Sequence, residues 1–329
     1  MLYYWHHRQQ WPDSLNSMYR VGQISKQGFH KKLSRHKRHA EESANLIEII
    51  RQIRSDHPTM CCRSMYYKIN PMYMGRDRFE ALCRAHGFMV QPRRSGRRTT
   101  DSTGVVRFDN LIKDLELTHI DQVWSSDITY FELDNCFYYI TFIIDCFSRR
   151  ILGHHVSSRL LTEQTSLPAL KRALKTRSNR IPKGVIFHSD GGGQYYDDNF
   201  LAMTKKYHMK NSMCEYAYEN GKAERVNGVI KNNYLRHWNI QDLGQLIKNV
   251  DRAVRLYNQD KPHTSLDRLT PVQFEKKFAT LEQLNGSSSK DPDGASQQTV
   301  KGIRHHLSNQ KGPHPADLKD AIINEINLE

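Results

Sequence analysis

Residues 122–157 read QVWSSDITYFELDNCFYYITFIIDCFSRRILGHHVS, and this stretch decides the fold of the chain. It contains three runs rich in aromatic and β-branched residues, QVWSSDITYFEL, CFYYITFIIDCF and RRILGHHVS, which short breaks separate. Runs of this composition are typical of β-strands, because branched and aromatic side chains pack well on a pleated surface. The sequence therefore predicts three consecutive strands from about residue 120.

Downstream of these strands, helical and strand patterns alternate. Residues 162–177 (TEQTSLPALKRALKTR) predict a helix, GVIFHSD at 184–190 predicts a strand, and residues 197–207 predict another helix. Helices are also expected over most of residues 218–238 and over residues 242–258. Strands that alternate with helices are typical of a mixed sheet covered by helices, so we expect an α/β fold.

Upstream, residues 19–56 read as helical and basic. Ser25 is a suitable N-cap for SKQGFHKKLSRHKRH, and AEESANLIEIIRQIR repeats apolar residues at near-helical spacing. We expect two short helices joined tightly, as in DNA-binding helical units. The helix that starts after Ser25 would present Lys26, Lys31 and Arg35 to bases or phosphates. A basic helix that is merely solvated is the alternative.

A second helical pair is expected at about residues 60–88, with Phe79, Leu82 and Cys83 on its apolar side and Gly87 at its end. Composition then changes to QPRRSGRRTTDSTG, which we interpret as a flexible linker that can follow a DNA backbone. The candidate phosphate contacts in it are Arg93, Arg94, Arg97 and Arg98.

The far end of the chain changes in composition again. From about residue 285 it is poor in apolar residues and dense in Gly, Ser, Pro and Gln, so we expect a disordered tail that allows one short helix at 317–329. We therefore expect four regions. Residues 1–90 would form a helical, helix-turn-helix-like DNA-binding region, residues 91–114 a basic linker, residues 115–280 the core and residues 281–329 a mostly disordered tail.

Charge is distributed unevenly along the 329 residues. Residues 1–100 hold 19 Lys and Arg against 7 Asp and Glu, so this segment carries +12 of the chain's net charge of +14. A basic segment of this kind is expected to bind a polyanion, since neutralised phosphates release their counterions. No run of about 18 apolar residues could span a bilayer, and the N-terminus lacks the order of a secretory signal. We therefore expect no membrane partner and a cytoplasmic location.

The cysteines and histidines give no sign of a metal centre of their own. None of the six cysteines forms a CxxC pair or a Cys/His array with zinc-site spacing, which predicts reduced thiols. Histidines occur as adjacent pairs such as His154 and His155, which do not point to one side of a helix. We expect these histidines to be solvated.

Three acidic residues lie where a strand or helix would hold them rigidly. Asp127 lies inside the first predicted strand, Asp190 ends GVIFHSD just before three glycines, and Glu224 lies on the helix that follows. Burying an acid is costly unless it is paired or bound to a cation, and hard divalent cations prefer carboxylate oxygens. Each acid also has a simpler interpretation. Asp127 could be an ion-pair partner of Arg149, Asp190 a helix N-cap and Glu224 a solvated helix residue.

Four separated segments, in this order, resemble the signatures of one family: DITYFELDNCFYYITFIIDCFSRRILG, HSDGGGQY, AYENGKAERVNGVIKNNYL and YNQDKPHTSLDRLTPVQF. Over about residues 115–278 the chain resembles the catalytic, second-open-reading-frame subunit of bacterial insertion-sequence transposases, which have a retroviral-integrase-like core. Residues 18–98 resemble, more weakly, the helix-turn-helix stretches that precede that core. The resemblance implies an RNase-H-like mixed sheet flanked by helices and preceded by small helical DNA-binding modules.

The resemblance also implies DDE-type catalysis. By position, Asp127, Asp190 and Glu224 match the catalytic acids, which would hold two Mg²⁺ ions, or Mn²⁺ as a substitute. Such enzymes hydrolyse phosphodiester bonds at the element ends and then transfer the 3′-OH into target DNA. Lys231, two helical turns after Glu224, matches a basic residue that contacts the terminal DNA, and Asn227 shares that face as a candidate supporting contact.

The implied partners are element ends and target DNA, a multimer assembled on paired ends, and an upstream-frame helix-turn-helix protein, fused or separate. The implied location is the bacterial nucleoid. A non-catalytic DNA-binding regulator or domesticated relic is the alternative function, and a metal-dependent nuclease without a joining step is also left open. Asp145 is the main competing acid, for which we favour an ion pair with Arg149 or Arg150.

Overall fold

The computed structural model describes residues 14–91, 108–214 and 220–286. By its internal contacts the chain divides into two units, Met1–Asp56 and His57–Glu329. The predicted arginine linker contacts, Arg93, Arg94, Arg97 and Arg98, and the predicted helix at 317–329 lie outside the described residues.

In its described part, residues 14–56, the first unit contains helix α1 (Leu15–Val21) and helix α2 (Lys26–Asp56). Ser25 caps α2 as predicted, because its Oγ accepts a hydrogen bond from the backbone N–H of Gly28 at 3.0 Å. The prediction of two short helices within residues 25–54 is wrong, since they form a single helix. The joining stretch HAEESA contains no glycine or proline and several good helix formers, so nothing interrupts the hydrogen-bond ladder there.

The second predicted helical pair is present as α3 (Cys62–Ile69) and α4 (Arg76–Ala85). Phe79 and Cys83 are fully buried. Gly87 has a φ of 72° just after α4, a conformation that favours glycine at a helix end. The predicted apolar side and helix end are therefore confirmed.

The second unit is built on one mixed sheet. Its strands are β1 (Val123–Leu133), β2 (Cys136–Asp145), β3 (Ile151–Ser157), β4 (Ile186–Ser189) and β5 (Lys210–Met213). Their spatial order is β3-β2-β1-β4-β5, with the first three antiparallel and with β4 and β5 parallel to β1. The three consecutive strands and the later β4 are confirmed. The sequence does not predict β5, because its four residues KNSM contain one apolar side chain.

Four helices cover the two faces of the sheet: α5 (Ser166–Thr176), α6 (Asp198–Lys206), α7 (Gly221–Asn233) and α8 (Leu243–Gln259). A further helix, α9 (Pro271–Gly286), packs against α8 and against Phe147. On one face, α7 and α8 pack against the apolar side chains of β2, among them Ile140 and Phe142. On the other, α5 packs against Trp124, Ile143 and Leu152. The predicted α/β fold, a mixed sheet flanked by helices, is confirmed.

The side chain of Asp145 is buried and is hydrogen-bonded within the fold. Its buried carboxylate accepts hydrogen bonds from the backbone N–H groups of Asp121 (2.6 Å), Phe147 (2.9 Å) and Ser148 (2.7 Å). Burial raises the pKa of Asp145 to about 6. Its cationic neighbour is Arg177, at 3.8 Å, so the predicted ion pair with Arg149 or Arg150 is wrong.

The predicted partner Arg150 binds a different acid. Arg150 contacts Glu275 of α9 at 2.5 Å, and Arg177 contacts the same carboxylate at 2.7 Å. Glu275 lies far along the chain from both arginines, which is why sequence spacing favoured the nearer Asp145. This buried network fastens α9 to the end of the sheet.

His154 also differs from its prediction. It is buried in β3, and its Nε2 lies 2.7 Å from Asp251 Oδ1 of α8. The expectation of a solvated histidine fails because helices pack on both sides of β3. The six thiols are free, as predicted. Among the described residues, no helix has the length and apolar composition to cross a membrane.

Candidate active site

Asp127 and Asp190 are brought together by the parallel pairing of β1 with β4. Ser125 of β1 lies opposite His188 of β4. Two residues further along each chain, Asp127 continues β1 while Asp190 follows the end of β4. Since paired parallel strands run in register, the two carboxylates lie side by side at the end of the β1–β4 pairing.

Asp190 is held by the turn that follows it. The backbone N–H of Gly192 donates to Asp190 Oδ1 at 3.1 Å, and the hydroxyl of Tyr196 donates to the Asp190 carbonyl at 3.3 Å. The N-cap of the next helix is Asp197, whose side chain accepts from the N–H of Asn199 at 3.0 Å. The helix-cap interpretation of Asp190 therefore does not describe its position.

Glu224 lies in the first turn of α7, and a buried asparagine fixes that turn to β1. The Nδ2 of Asn220 donates to the carbonyl of Ser126 at 2.8 Å, while the hydroxyl of Ser125 donates to Asn220 Oδ1. Asn220 is only 3% exposed. These bonds set the start of α7, and with it Glu224, against the two residues that precede Asp127.

A second buried contact reaches the same two residues from the segment after Asp190. Ser126 Oγ donates its one hydrogen to the carbonyl of Phe142 at 3.0 Å. The Tyr195 hydroxyl oxygen lies 2.9 Å from Ser126 Oγ and therefore acts as the donor in that second bond. We call Ser125 and Ser126 the serine anchor. The serine anchor connects β1 to the segments that carry the second and third acids. Sequence reasoning missed the anchor and both its partners, because two serines in a strand carry no distinguishing signal.

Asn227 contacts the first acid directly. Its Nδ2 donates to Asp127 Oδ2 at 2.7 Å, and the residue is 5% exposed. The supporting contact expected from its position on the Glu224 face of the helix is therefore present. The described part of the chain shows no ion pair between Asp127 and an arginine, so the Arg149 alternative has no support.

The electrostatics show an excess of negative charge at this point. Burial raises the pKa of Asp127 to about 7, and the nearby carboxylates of Asp190 and Glu224 add to the effect. Burial also raises the pKa of Asp190. Buried carboxylates that repel one another are stabilised by a bound cation, so the donor set fits a hard divalent metal. The side chains do not form a closed ligand cluster in the described residues.

Lys231 lies on the same face of α7 as Glu224 and Asn227. Its Nζ donates to Thr129 Oγ1 at 3.0 Å and to the carbonyl of Tyr130 at 3.3 Å, two and three residues beyond Asp127 on β1. Burial, and then the charge of a nearby arginine, lowers the pKa of Lys231. These bonds fix Lys231 beside the strand that carries Asp127. Its contact with DNA stays a prediction.

Three of the other predicted DNA contacts lie in the first unit, and those at positions 93, 94, 97 and 98 lie outside the described residues. Lys26, Lys31 and Arg35 are exposed along α2, in the first unit. Their role as base or phosphate contacts stays a prediction.

Comparison with known proteins identifies the same region. The integrase core domain family matches residues 118–218, and a second integrase core domain family matches residues 207–271. The insertion element IS600 uncharacterized 31 kDa protein of Shigella sonnei is 29% identical over 214 residues, which cover 64% of this chain and 78% of that protein. Transposase InsF for insertion sequence IS3A of Escherichia coli (strain K12) is 30% identical over 173 residues, or 51% of this chain and 59% of that protein.

The chain therefore spans about three fifths of the InsF transposase. Among solved structures, the HTLV-2 integrase catalytic core domain is 21% identical, and the match covers 47% of this chain and 96% of that one with a TM-score of 0.39.

Proposed function

We propose that this chain, which carries an integrase core domain and is related to insertion-sequence transposases, is a DNA transposase that cuts element ends and joins them to target DNA. The observation that carries the proposal is that Asp190 and Glu224 lie close enough to Asp127 to raise its pKa, within residues that match two integrase core domain families. Phosphoryl transfer of this kind needs little covalent chemistry from the protein; it needs positioning and charge stabilisation.

The three carboxylates would hold two Mg²⁺ ions, or Mn²⁺ as a substitute, which when bound favour attack on a phosphodiester and stabilise the departing oxygen. The contribution of the chain itself is to fix the carboxylates. Asn227 orients Asp127, the Gly192 N–H orients Asp190, and Asn220 fixes the turn that carries Glu224. The three acids thus lie on β1, on the turn after β4 and on the first turn of α7, and α7 contributes to the positions of two of them.

The nucleophile is first water and then the DNA 3′-OH, without a covalent protein intermediate. The hydroxyl of Ser126, the residue before the first acid, and the Tyr195 hydroxyl to which it is hydrogen-bonded belong to residues that are 0% and 2% exposed. Neither can reach a phosphorus atom. This arrangement supports direct transfer between DNA oxygens.

DNA is held by the basic surface of the chain. Lys231 binds the terminal DNA beside the acids, while Lys26, Lys31 and Arg35 of α2 and the arginines of residues 91–104 bind further along the element end. The charge of +12 within residues 1–100 supports this division of roles. A multimer on paired ends, aided by an upstream-frame partner, brings two ends together at the bacterial nucleoid.

The test uses the full chain and labelled DNA that carries the ends of its own element, with Mg²⁺ or Mn²⁺. We expect metal-dependent cleavage and joined products from the wild type and neither from Asp190→Asn. Asp267→Asn is the matched control, since Asp267 is exposed and has a φ of 50° that asparagine tolerates. A folded Asp190→Asn protein that still cuts DNA normally would exclude the assignment, and wild-type binding without cleavage would favour a regulator.

A further inference from the structure

Two large aromatic side chains are exposed on the hairpin that β1 and β2 form beyond Asp127. Tyr130 is 54% exposed and Phe137 is 50% exposed. Their ring centroids lie 5.6 Å apart, with the ring planes at 85°. An edge-to-face pair of this kind is favourable in itself, yet it leaves the outer ring faces in solvent.

Strand register explains why these rings are outside the core. Glu132 lies opposite Phe137 and Tyr130 lies opposite Tyr139, so Tyr130 and Phe137 share one face of the hairpin as diagonal neighbours. The intervening Phe131 and its neighbours point to the other face and pack against the core. Asp127 lies three residues before Tyr130, roughly 10 Å along the strand.

A cation joins the aromatic face to the acids. Among the described residues β1 pairs with β4 only through Val123–Ser125, so the edge of β1 beyond Ser125 is open on that side. Lys231 lies across this edge: its Nζ contacts Thr129 Oγ1 and is 4.9 Å from the centre of the Tyr130 ring. One ammonium group thus lies between the first acid and the exposed rings.

We propose that Tyr130 and Phe137 form a stacking platform for an unpaired base of the DNA strand that is processed at the acids, with Lys231 next to its phosphate. The proposal rests on the proposed transposase function. Every base has a π face that can stack on an aromatic side chain whatever the sequence. Because Asp127 and Tyr130 are an odd number of residues apart, their side chains point to opposite faces of β1. A DNA strand that crosses the open edge of β1 beside Lys231 would bring a base close to the cut site onto the platform.

A protein partner fits this surface less well. A stable protein interface buries roughly 800 Å² on each side, whereas two half-exposed aromatic side chains offer on the order of 200 Å². The adjacent ammonium group of Lys231 favours a polyanion. We therefore assign the platform to DNA rather than to a second copy of the chain.

Binding of short single strands tests the platform without any cleavage. The probes are a fluorescein-labelled 12-nucleotide oligo(dT) and the same oligomer with abasic sites, measured by anisotropy at fixed salt without divalent metal. We expect Tyr130→Ala and Phe137→Ala to weaken oligo(dT) binding by about 5- to 150-fold. Tyr130→Phe and Phe137→Tyr keep the rings and should bind as the wild type does. All five proteins should bind the abasic strand alike.

A photochemical measurement locates the base directly. Oligonucleotides with one 5-iododeoxyuridine are cross-linked to the wild-type full chain, and the modified peptide is identified by mass spectrometry. Attachment at Tyr130 or Phe137 is expected. Attachment only elsewhere, or equal oligo(dT) binding by the alanine variants and the wild type, overturns the proposal. Loss of self-association in the alanine variants with unchanged DNA binding would also overturn it, in favour of a contact between copies.

The failure of this proposal is distinguishable from failure of the transposase function. Asp190→Asn should bind oligo(dT) as the wild type does but should not cut DNA. If the wild type cuts and joins DNA while the platform variants bind normally, only the platform is wrong. If oligo(dT) binding depends on the rings but no cleavage occurs under any condition, only the catalytic proposal is wrong.

Discussion

Replacing Asn220 by alanine should impair catalysis more than it impairs folding. The substitution removes the bonds from Asn220 to the Ser126 carbonyl and the Ser125 hydroxyl, both of which are buried. Two hydrogen bonds at about 1 kcal/mol each, and about 1–3 kcal/mol for a buried group left without its partner, give a loss of about 3–5 kcal/mol in the free energy of unfolding. Because Asn220 fixes the turn that carries Glu224, a shift of about 1 Å there should lower the cleavage rate about 100-fold.

The core offers a matched control for this variant. Asn258 is buried like Asn220, and it makes two comparable bonds: its Oδ1 accepts from the Ile151 N–H at 2.9 Å and its Nδ2 donates to the Ile151 carbonyl at 2.8 Å. Asn258→Ala should therefore lose similar stability, measured by urea unfolding, while the folded protein cleaves DNA at nearly the wild-type rate. Equal rates for the two variants at a temperature where both are folded would refute the positioning role of Asn220.

Three further outcomes follow from the structure. Burial raises the pKa of Asp127 to about 7, and its proton must leave before a cation binds, so Mn²⁺ affinity measured by calorimetry should rise with pH and level off above about 7. Asn227→Ala removes a hydrogen bond that lowers this pKa, so the rise in affinity should move to higher pH. The hydrogen bond from His57, and then the contact with Lys68, lower the pKa of Asp260 to about 2, below its ordinary value. The contribution of Asp260 to stability is therefore complete above about pH 4 and is lost as the pH falls toward about 2. The free energy of urea unfolding of Asp260→Asn should depend less on pH between those values than that of the wild type. Gly153→Ala would bring a Cβ within 2.1 Å of the Ala169 carbonyl oxygen of α5. The free energy of unfolding, measured by thermal unfolding, should therefore fall by about 1–3 kcal/mol or more, whereas a conservative surface substitution should leave it unchanged.

The central strands were predictable because local composition alone determines them. Three aromatic and β-branched runs gave β1, β2 and β3 close to their observed bounds. The four-residue β5 was not predictable, since it forms by pairing with β4 and not because of its own composition. In the first unit the continuous α2 differs from the predicted pair of helices, because the stretch between the two predicted helices contains no residue that ends a helix.

The candidate site could be predicted only in part. The order of Asp127, Asp190 and Glu224 within recognisable motifs gave the acids, and helical spacing gave Asn227. The residues that hold the acids in place, Asn220 and Tyr195, act through contacts with the serine anchor that join positions 69 and 95 residues apart. The partner of Asp145 was mistaken for the same reason, since Arg177 reaches it only through the fold. Long-range contacts of this kind leave no pattern in one sequence.

The central claim of the proposal is that the three acids promote attack of a DNA 3′-OH on a phosphodiester of a target strand, which joins the two DNAs and releases a 3′-OH of the target. One joining assay tests this claim most directly. Wild type and Asp190→Asn are incubated with Mg²⁺, a plasmid target and a pre-cut element end that terminates in either a 3′-OH or a 3′-dideoxy nucleotide. We predict joined product from the wild type with the 3′-OH end alone, and none from Asp190→Asn with either end. Nicking of the plasmid without joining, or joining that survives Asp190→Asn, would contradict the account.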